Sequence, residues 1–189
     1  ENVKNKSYSE YQSKKILNRY GINIPQAVLT NSKNVIKDSK KIKFPLVMKI
    51  NSSEISHKSE VEGVFTNILT SKKIKSCSKH LSKITPEILM EKMITDTIAE
   101  LIIGIKIDNQ FGPIIVIGAG GIYTELFRDT VTLLTPINRN QVLAAINNLK
   151  ISKIIKGYRG NDEGDMQELV NTIIKISKFA EKNVNKITE

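Results

Sequence analysis

Apolar residues recur along this chain with two different periods, and the change from one to the other marks its elements. Tyr11, Ile16, Leu17 and Tyr20 fall at helical spacing behind Ser9, which forms a capping-box pattern with Gln12, and the stripe stops at Gly21. Gly21 to Pro25 then turns the chain into a short strand near Ala27 to Leu29, and Asn31 or Ser32 caps a helix that runs to about Lys41. The apolar run Leu46 to Ile50, entered through Pro45 and interrupted only by Lys49, predicts a buried strand. Val64 to Ile68 reads as the returning strand, and Ser71 to Ser82 as a helix with a lysine-rich outer face. Four more strands are expected at Ile88 to Met93, Ile98 to Ile107, Ile114 to Ile117 and Thr130 to Leu134. Asn138 to Leu149 predicts a helix, and Asp165 to Lys182 a long one with Leu169, Ile173, Ile176 and Ala180 on one face. Strands alternating with helices, without repeats or low-complexity segments, imply a mixed α/β (α+β) class. The length of 189 residues suits one domain of two lobes with a real core.

Charge changes this picture little. Basic residues number 29 against 19 acidic ones, a net charge of +10, which invites a nucleic-acid partner. All but four of the basic residues are lysines scattered along the chain, and only Arg19, Arg128, Arg139 and Arg159 offer forked, bidentate contacts. Aromatic residues are few and interleave with no basic cluster, so no nucleic-acid partner is expected. The single cysteine, Cys77, excludes an internal disulfide and provides no zinc cluster. With no signal peptide and no apolar run long enough for a bilayer, the expectation is a cytoplasmic protein with no membrane partner. Because the chain opens with Glu1 rather than Met, a piece of a longer product is expected.

Candidate chemistry concentrates around the Leu46 to Ile50 strand. Lys49 within it either escapes to solvent at an edge or meets an anion, because an unpaired buried ammonium is costly. The polar loop that follows carries His57, Lys58 and Ser59. The His57 imidazole is either a surface side chain or an acceptor of a phosphoryl group, since neutral imidazole near its pKa is a competent nucleophile at physiological pH. His80, among lysines on a helix, reads as a surface residue. After the Ile114 to Ile117 strand comes Gly118-Ala119-Gly120-Gly121, whose backbone can approach an anion and nest phosphate oxygens. Its spacing matches neither the dinucleotide fingerprint nor the P-loop, so a tight turn stays open beside the anion reading. Glu91, Glu100, Glu125 and Asp129 stand as lone acids near strand ends.

Taken in order, these segments resemble the ATP-grasp domain of the NDP-forming acyl-CoA synthetases, the superfamily that includes the β subunit of succinyl-CoA synthetase. The resemblance runs through Ser9-Glu10-Tyr11, Tyr20-Gly21-Ile22, Pro45 to Ile50, His57-Lys58-Ser59, Glu91-Lys92-Met93-Ile94 and Glu100 to Gly104. It continues through Gln110-Phe111-Gly112-Pro113, Gly118 to Ile122, Glu125, Asp129, Pro136 and Lys156 to Gly160. It implies one truncated ATP-grasp domain over 1–189, its small lobe at about 24–93 and its larger lobe at 1–23 plus 94–189, clasping a nucleotide between antiparallel sheets. The implied reaction converts acid, CoA and ATP into acyl-CoA, ADP and phosphate through an acyl phosphate and a phosphohistidine. The implied cofactors are ATP or ADP with Mg2+, and the implied partners are CoA-binding and ligase domains of the same enzyme, fused or separate. A homo-oligomer is left open.

Carried over residue by residue, the resemblance gives Lys49 and Ser59 to nucleotide phosphates, and the backbone of Glu91, Lys92, Met93 and Ile94 to adenine. It gives Glu100 to the ribose, Gly120, Gly121 and Glu125 to the nucleotide cleft, Arg159 to the same ATP site, and His57 to the phosphoryl shuttle. Two departures accompany it. Glu62-Gly63 stands where the family reads Gly-Gly, placing a carboxylate near the phosphates, and the family's metal-ligand motif and C-terminal strands are expected beyond Glu189. The isolated fragment is therefore expected to bind nucleotide without turnover. The alternative readings are the corresponding regulatory domain of a protein lysine acetyltransferase and a non-catalytic nucleotide-binding module.

Overall fold

Residues 7–55, 57–121 and 129–188 are described by the structure, a computed structural model. Contacts divide the chain into two units, one of Glu1–Arg19 with Asn23–Thr95, the other of Tyr20–Ile22 with Asp96–Glu189.

In the first unit, α1 (Glu10–Arg19) begins at the capping box read in the sequence: the Ser9 N–H donates to Gln12 Oε1 at 3.0 Å, and the Gln12 N–H donates to Ser9 Oγ at 3.4 Å. Strands β1 (Ala27–Thr30), β2 (Leu46–Ile50), β3 (Val64–Ile68) and β4 (Ile88–Lys92) form an antiparallel sheet in the order β1-β4-β2-β3. The alternation within β2 sets its two faces. Leu46, Met48 and Ile50 are fully buried and meet Ile74, Cys77 and Leu81 of α3 (Ser71–Leu81) and Val35 of α2 (Val35–Ser39) in one apolar cluster. Val47 and Lys49 turn to the opposite face. Helix α2 is shorter than the sequence pattern predicts, because Asn31 Oδ1 accepts from the Lys33 and Asn34 N–H groups and holds those residues in a turn.

In the second unit, β5 (Leu101–Asp108), β6 (Gly112–Ala119) and β7 (Thr130–Leu134) form a second antiparallel sheet in chain order. Helices α4 (Arg139–Asn148) and α6 (Met166–Lys182) bury Val142, Ile146, Val170, Ile173 and Ala180 against Ile115 and Ile117. The Asn138–Gln141 capping box starts α4 and the Asp165 carboxylate caps α6. A short helix, α5 (Ser152–Ile155), and a 3-10 turn at Tyr158–Gly160 were not legible, being too brief to show a period. Strand β5 begins at Leu101 rather than Ile98, and β6 extends through Gly118 and Ala119, where glycine alternation hid the strand.

Helix α1 groups with the first unit, whereas the sequence reading put residues 1–23 with the larger lobe. The physical cause is ionic: Glu10 and Lys14 are bonded to Lys49 of β2 and Glu91 of β4. Only Tyr20–Ile22 belongs to the second unit, where the Tyr20 ring meets Phe179 edge-on at 4.9 Å and its hydroxyl accepts from Asn183 Nδ2.

Candidate functional site

Lys49 leaves β2 on the face away from the α2/α3 core, and the sheet register decides its neighbour there. Val47 is paired with Glu91 and Lys49 with Leu89, so Lys49 and Glu91 are diagonal neighbours on one face. Lys49 Nζ lies 2.9 Å from Glu91 Oε2 and donates at 2.7 Å to Glu10 Oε1. Lys14 Nζ, one turn after Glu10, donates to Glu10 Oε1 at 2.8 Å and to Glu91 Oε1 at 2.5 Å. Lys58, in the loop after β2, donates to Glu10 Oε2. Three ammonium groups thus share two carboxylates. The lysine in the strand meets an anion, and the first anions it meets belong to the protein.

Burial alone would push the Glu10 carboxyl up, but hydrogen bonds from Lys14, Lys49 and Lys58 outweigh it and hold the group at about 2. Burial likewise acts to lower the Lys49 ammonium, yet bonds to Glu10 and Glu91 win and raise it above its ordinary range. Both groups are therefore charged at neutral pH.

The loop beyond Asn51 brings three residues named from sequence to one place. Lys49, His57 and Ser59 line an open pocket of about 440 Å3 with Glu10, Lys58, Glu60 and Val64. His57 stands out from the wall, its side chain 76% exposed, with Nδ1 3.8 Å from Glu60 Oε1. The loop closes with the Gly63 N–H donating to the Lys58 carbonyl at 2.7 Å, where a Cβ on Gly63 would strike Ile50 and that carbonyl. Glu62, the departure from Gly-Gly, adopts a left-handed φ of +50 and sends its carboxylate to within 3.6 Å of His80 Nε2. His80 also meets the Phe65 ring edge-on at 5.4 Å, so it is not the plain surface residue read from the sequence.

Glu91 is 3% exposed, its carboxylate enclosed by Lys14 and Lys49. Of the hinge that follows, the Lys92 N–H is donated to the Gln26 carbonyl and the Met93 N–H to the Pro45 carbonyl, while Ile94 is exposed.

In the second unit, Glu100, Gly120 and Gly121 come together. The Gly120 N–H donates to the Glu100 carbonyl at 2.8 Å, and a Cβ on Gly120 would lie 2.9 Å from the Leu101 backbone. Gly121 has a φ of +60, and a Cβ there would sit 2.0 Å from Glu100 Oε2, so these glycines make room for the Glu100 backbone and carboxylate. Asp129 Oδ2 accepts from the Ile151 N–H, tying β7 to the segment before α5. Arg159 is exposed, in a left-handed conformation with its guanidinium 5.3 Å from the Tyr158 ring. Glu125 lies outside the described residues.

Sequence reading missed Glu10, Lys14 and Lys58 as members of the site. One signal was present: Glu10 and Lys14 are spaced i, i+4 on one face of α1.

Comparison with known proteins gives a consistent result. The family described as ATP-grasp domain matches residues 2–189. The 4-hydroxybutyrate–CoA ligase [ADP-forming] of Nitrosopumilus maritimus is 32% identical over 90% of this chain. The chain spans only 26% of that relative. The acetate–CoA ligase [ADP-forming] II subunit beta of Pyrococcus furiosus is 30% identical over 91% of this chain and 77% of that subunit. Among solved structures, the Ca. Korarchaeum cryptofilum dinucleotide forming acetyl-coenzyme A synthetase 1 in complex with coenzyme A and Mg-AMPPCP, its phosphohistidine segment pointing towards the nucleotide binding site, superposes with a TM-score of 0.83. That match is 29% identical and covers 94% of this chain and 80% of the other. Among the described residues, no helix is long and apolar enough to cross a membrane.

Proposed function

Because the chain belongs to the ATP-grasp domain family, in the branch of the ADP-forming acyl-CoA synthetases, we propose that it is the nucleotide-binding part of such an enzyme and that His57 shuttles the phosphoryl group between a second histidine on the CoA-binding part and ADP. The whole protein would interconvert acid, CoA and ATP with acyl-CoA, ADP and phosphate, working with CoA-binding and ligase domains in the same chain or a separate subunit. The observation that carries this reading is the pocket in which His57 stands beside Lys49, Lys58 and Ser59.

The residues present fit a polyphosphate. Lys49 and Ser59 would hold phosphate oxygens, Glu100 the ribose hydroxyls and the backbone of residues 91–94 the base, through groups other than the Lys92 and Met93 amides, which are bonded to the Gln26 and Pro45 carbonyls. Glu125 and Arg159 would complete the nucleotide site. Magnesium, when bound, neutralises charge on the transferring phosphoryl group. Among the described residues no group of three or more His, Cys, Asp or Glu side chains could hold a metal ion, so no role here is assigned through it.

In the step assigned to this chain, a terminal oxygen of ADP bonds to phosphorus while the phosphorus–nitrogen bond at His57 breaks, and the departing imidazole takes up a proton. One proton on the departing ring gives neutral imidazole; Glu60 Oε1 lies 3.8 Å from Nδ1, which leaves Nε2 as the nitrogen proposed to carry the phosphoryl group.

The test uses the parent protein with its CoA-binding part, acetyl phosphate or acyl-CoA with phosphate, magnesium and ADP. The expected result is an acid-labile, base-stable phosphoryl group on His57. His57→Ala should abolish ADP phosphorylation while leaving nucleotide affinity nearly unchanged, since the imidazole is needed for transfer and not for holding adenine or ribose. Full turnover by His57→Ala would overturn the assignment.

A further inference from the structure

Glu10 and Lys58 are absent from the roles just assigned, yet they occupy the wall of the same pocket. Among the described residues, Glu10 is the one carboxylate reached by all three lysines: Oε1 accepts from Lys14 and Lys49, and Oε2 from Lys58. Glu91 differs, for its side chain is 4% exposed and enclosed from both sides by Lys14 and Lys49, whereas the Glu10 side chain is 22% exposed and borders the pocket.

The donor inventory of the two pocket lysines is unequal. An ammonium has three donors. Lys49 spends two, on Glu10 and Glu91, and Lys58 spends one, on Glu10, among the described residues. Both ammonium groups keep donors that can turn to an incoming oxygen. With three lysines on two carboxylates the cluster carries a surplus positive charge, and the end of that surplus that lines the pocket is the Lys49–Lys58 pair. Glu10 lies between the two and holds both chain segments, β2 and the His57 loop, to α1.

We infer that Lys58 is a second phosphate ligand beside Lys49, and that Glu10 is their internal counter-anion, which holds the two ammonium groups in place and competes with phosphate oxygens for them. This deepens the nucleotide reading and rests on it for the identity of the ligand. The cluster itself recognises a polyphosphate, whichever group is attached to it. A dianionic phosphoryl group takes the remaining donors of Lys58 and Lys49, and every bond it gains from them weakens their hold on Glu10. Lys58 is then tied to the phosphate through the same loop that presents His57, one residue away. Glu60, on the pocket rim with its side chain 77% exposed, faces the same space and adds a second repulsive charge.

Calorimetry on the 189-residue chain separates the parts, with inorganic pyrophosphate, ADP and adenosine as probes and thermal melting to confirm folding. Lys58→Ala should weaken pyrophosphate and ADP about tenfold, as expected for loss of a charge-assisted bond, with adenosine unchanged. Lys58→Arg, which keeps the charge, should restore most of that loss. Glu10→Gln should tighten pyrophosphate about fivefold, because it removes the competing charge while Glu91 still orders Lys49. Unchanged pyrophosphate affinity in Lys58→Ala, or weaker pyrophosphate binding in a folded Glu10→Gln, would overturn the inference. Pyrophosphate binding that depends on Lys58 and Glu10 as stated, with ADP no tighter than pyrophosphate and adenosine not bound, would uphold the anion site and sink the nucleotide reading alone. Absence of binding by either phosphate probe would sink both.

Discussion

Glu10 Oε1 accepts a hydrogen bond from Lys49 Nζ at 2.7 Å, although 39 residues separate them in the chain. Helix α1 contributes no fully buried residue, so this bond and its neighbours, rather than an apolar face, fasten it to the sheet. The same groups that hold α1 in the first unit also wall the candidate pocket, and stability and binding are therefore linked at these residues.

That linkage has a pH signature. The Glu10 carboxyl sits at about 2 in the fold and at its ordinary 4.5 in the unfolded chain, so on acidification the unfolded chain binds the proton first. The stabilisation is fully present above pH 4.5 and is lost as pH falls towards 2. A shift of that size corresponds to at most about 3 kcal/mol on folding, reduced by solvent screening of the partly exposed carboxylate. Urea unfolding at pH 7 and pH 3 should show the loss in the wild type and a much smaller one in Glu10→Gln; equal acid sensitivity of the two would remove Glu10 as its source.

Lys49→Ala should weaken ADP binding about tenfold to a hundredfold, because it deletes bonds of the charged kind, each contributing about 1.5 to 3 kcal/mol. It should also lower the melting temperature, since it leaves buried Glu91 with Lys14 alone. Calorimetry with ADP and a melting curve read the two effects separately, and undiminished ADP affinity would take Lys49 out of the site.

Glu62→Gly should leave stability equal or raise it by up to about 1 kcal/mol. Relief of the left-handed backbone at φ +50 yields about 1 to 2 kcal/mol, against roughly 0.5 to 1 kcal/mol of extra chain entropy in the unfolded state. The exposed Glu62–His80 contact subtracts little. A melting temperature clearly lower than that of the wild type would show that this contact is worth more than the strain.

Gly121→Ala combines a left-handed φ, strained for any residue with a Cβ, with a collision, since that Cβ would stand 2.0 Å from Glu100 Oε2. The expected cost is about 1 to 2 kcal/mol from the backbone alone, with Glu100 displaced as well. If Glu100 binds ribose, ADP affinity should fall while pyrophosphate affinity stays unchanged. Equal losses for the two ligands would place the damage elsewhere.

Local signals in the sequence were enough for most elements and for the family. The Ser9–Gln12 and Asn138–Gln141 capping boxes, the period-2 run at Leu46–Ile50 and the stripe through Ile173 and Ala180 each act within a few residues, so each is written where it operates. The ordered motifs then identified the ATP-grasp domain along the whole chain. Lys49 and His57 stood out for the same reason, as a charge inside an apolar run and a histidine in the loop after it. The partners of Lys49 were not legible. Glu10, Lys14, Glu91 and Lys58 meet only because an antiparallel register sets Glu91 diagonal to Lys49 and because α1 lies over that face of the sheet. Likewise, Glu62 took up a left-handed backbone and turned to His80 only once loop and helix were packed side by side. The chain's pattern of apolar, capping and turn residues determined which elements form and to which family they belong, because those preferences are local. Which carboxylate neutralises which lysine was decided by tertiary packing, because Coulomb attraction and desolvation depend on distances in space that sequence separation does not fix.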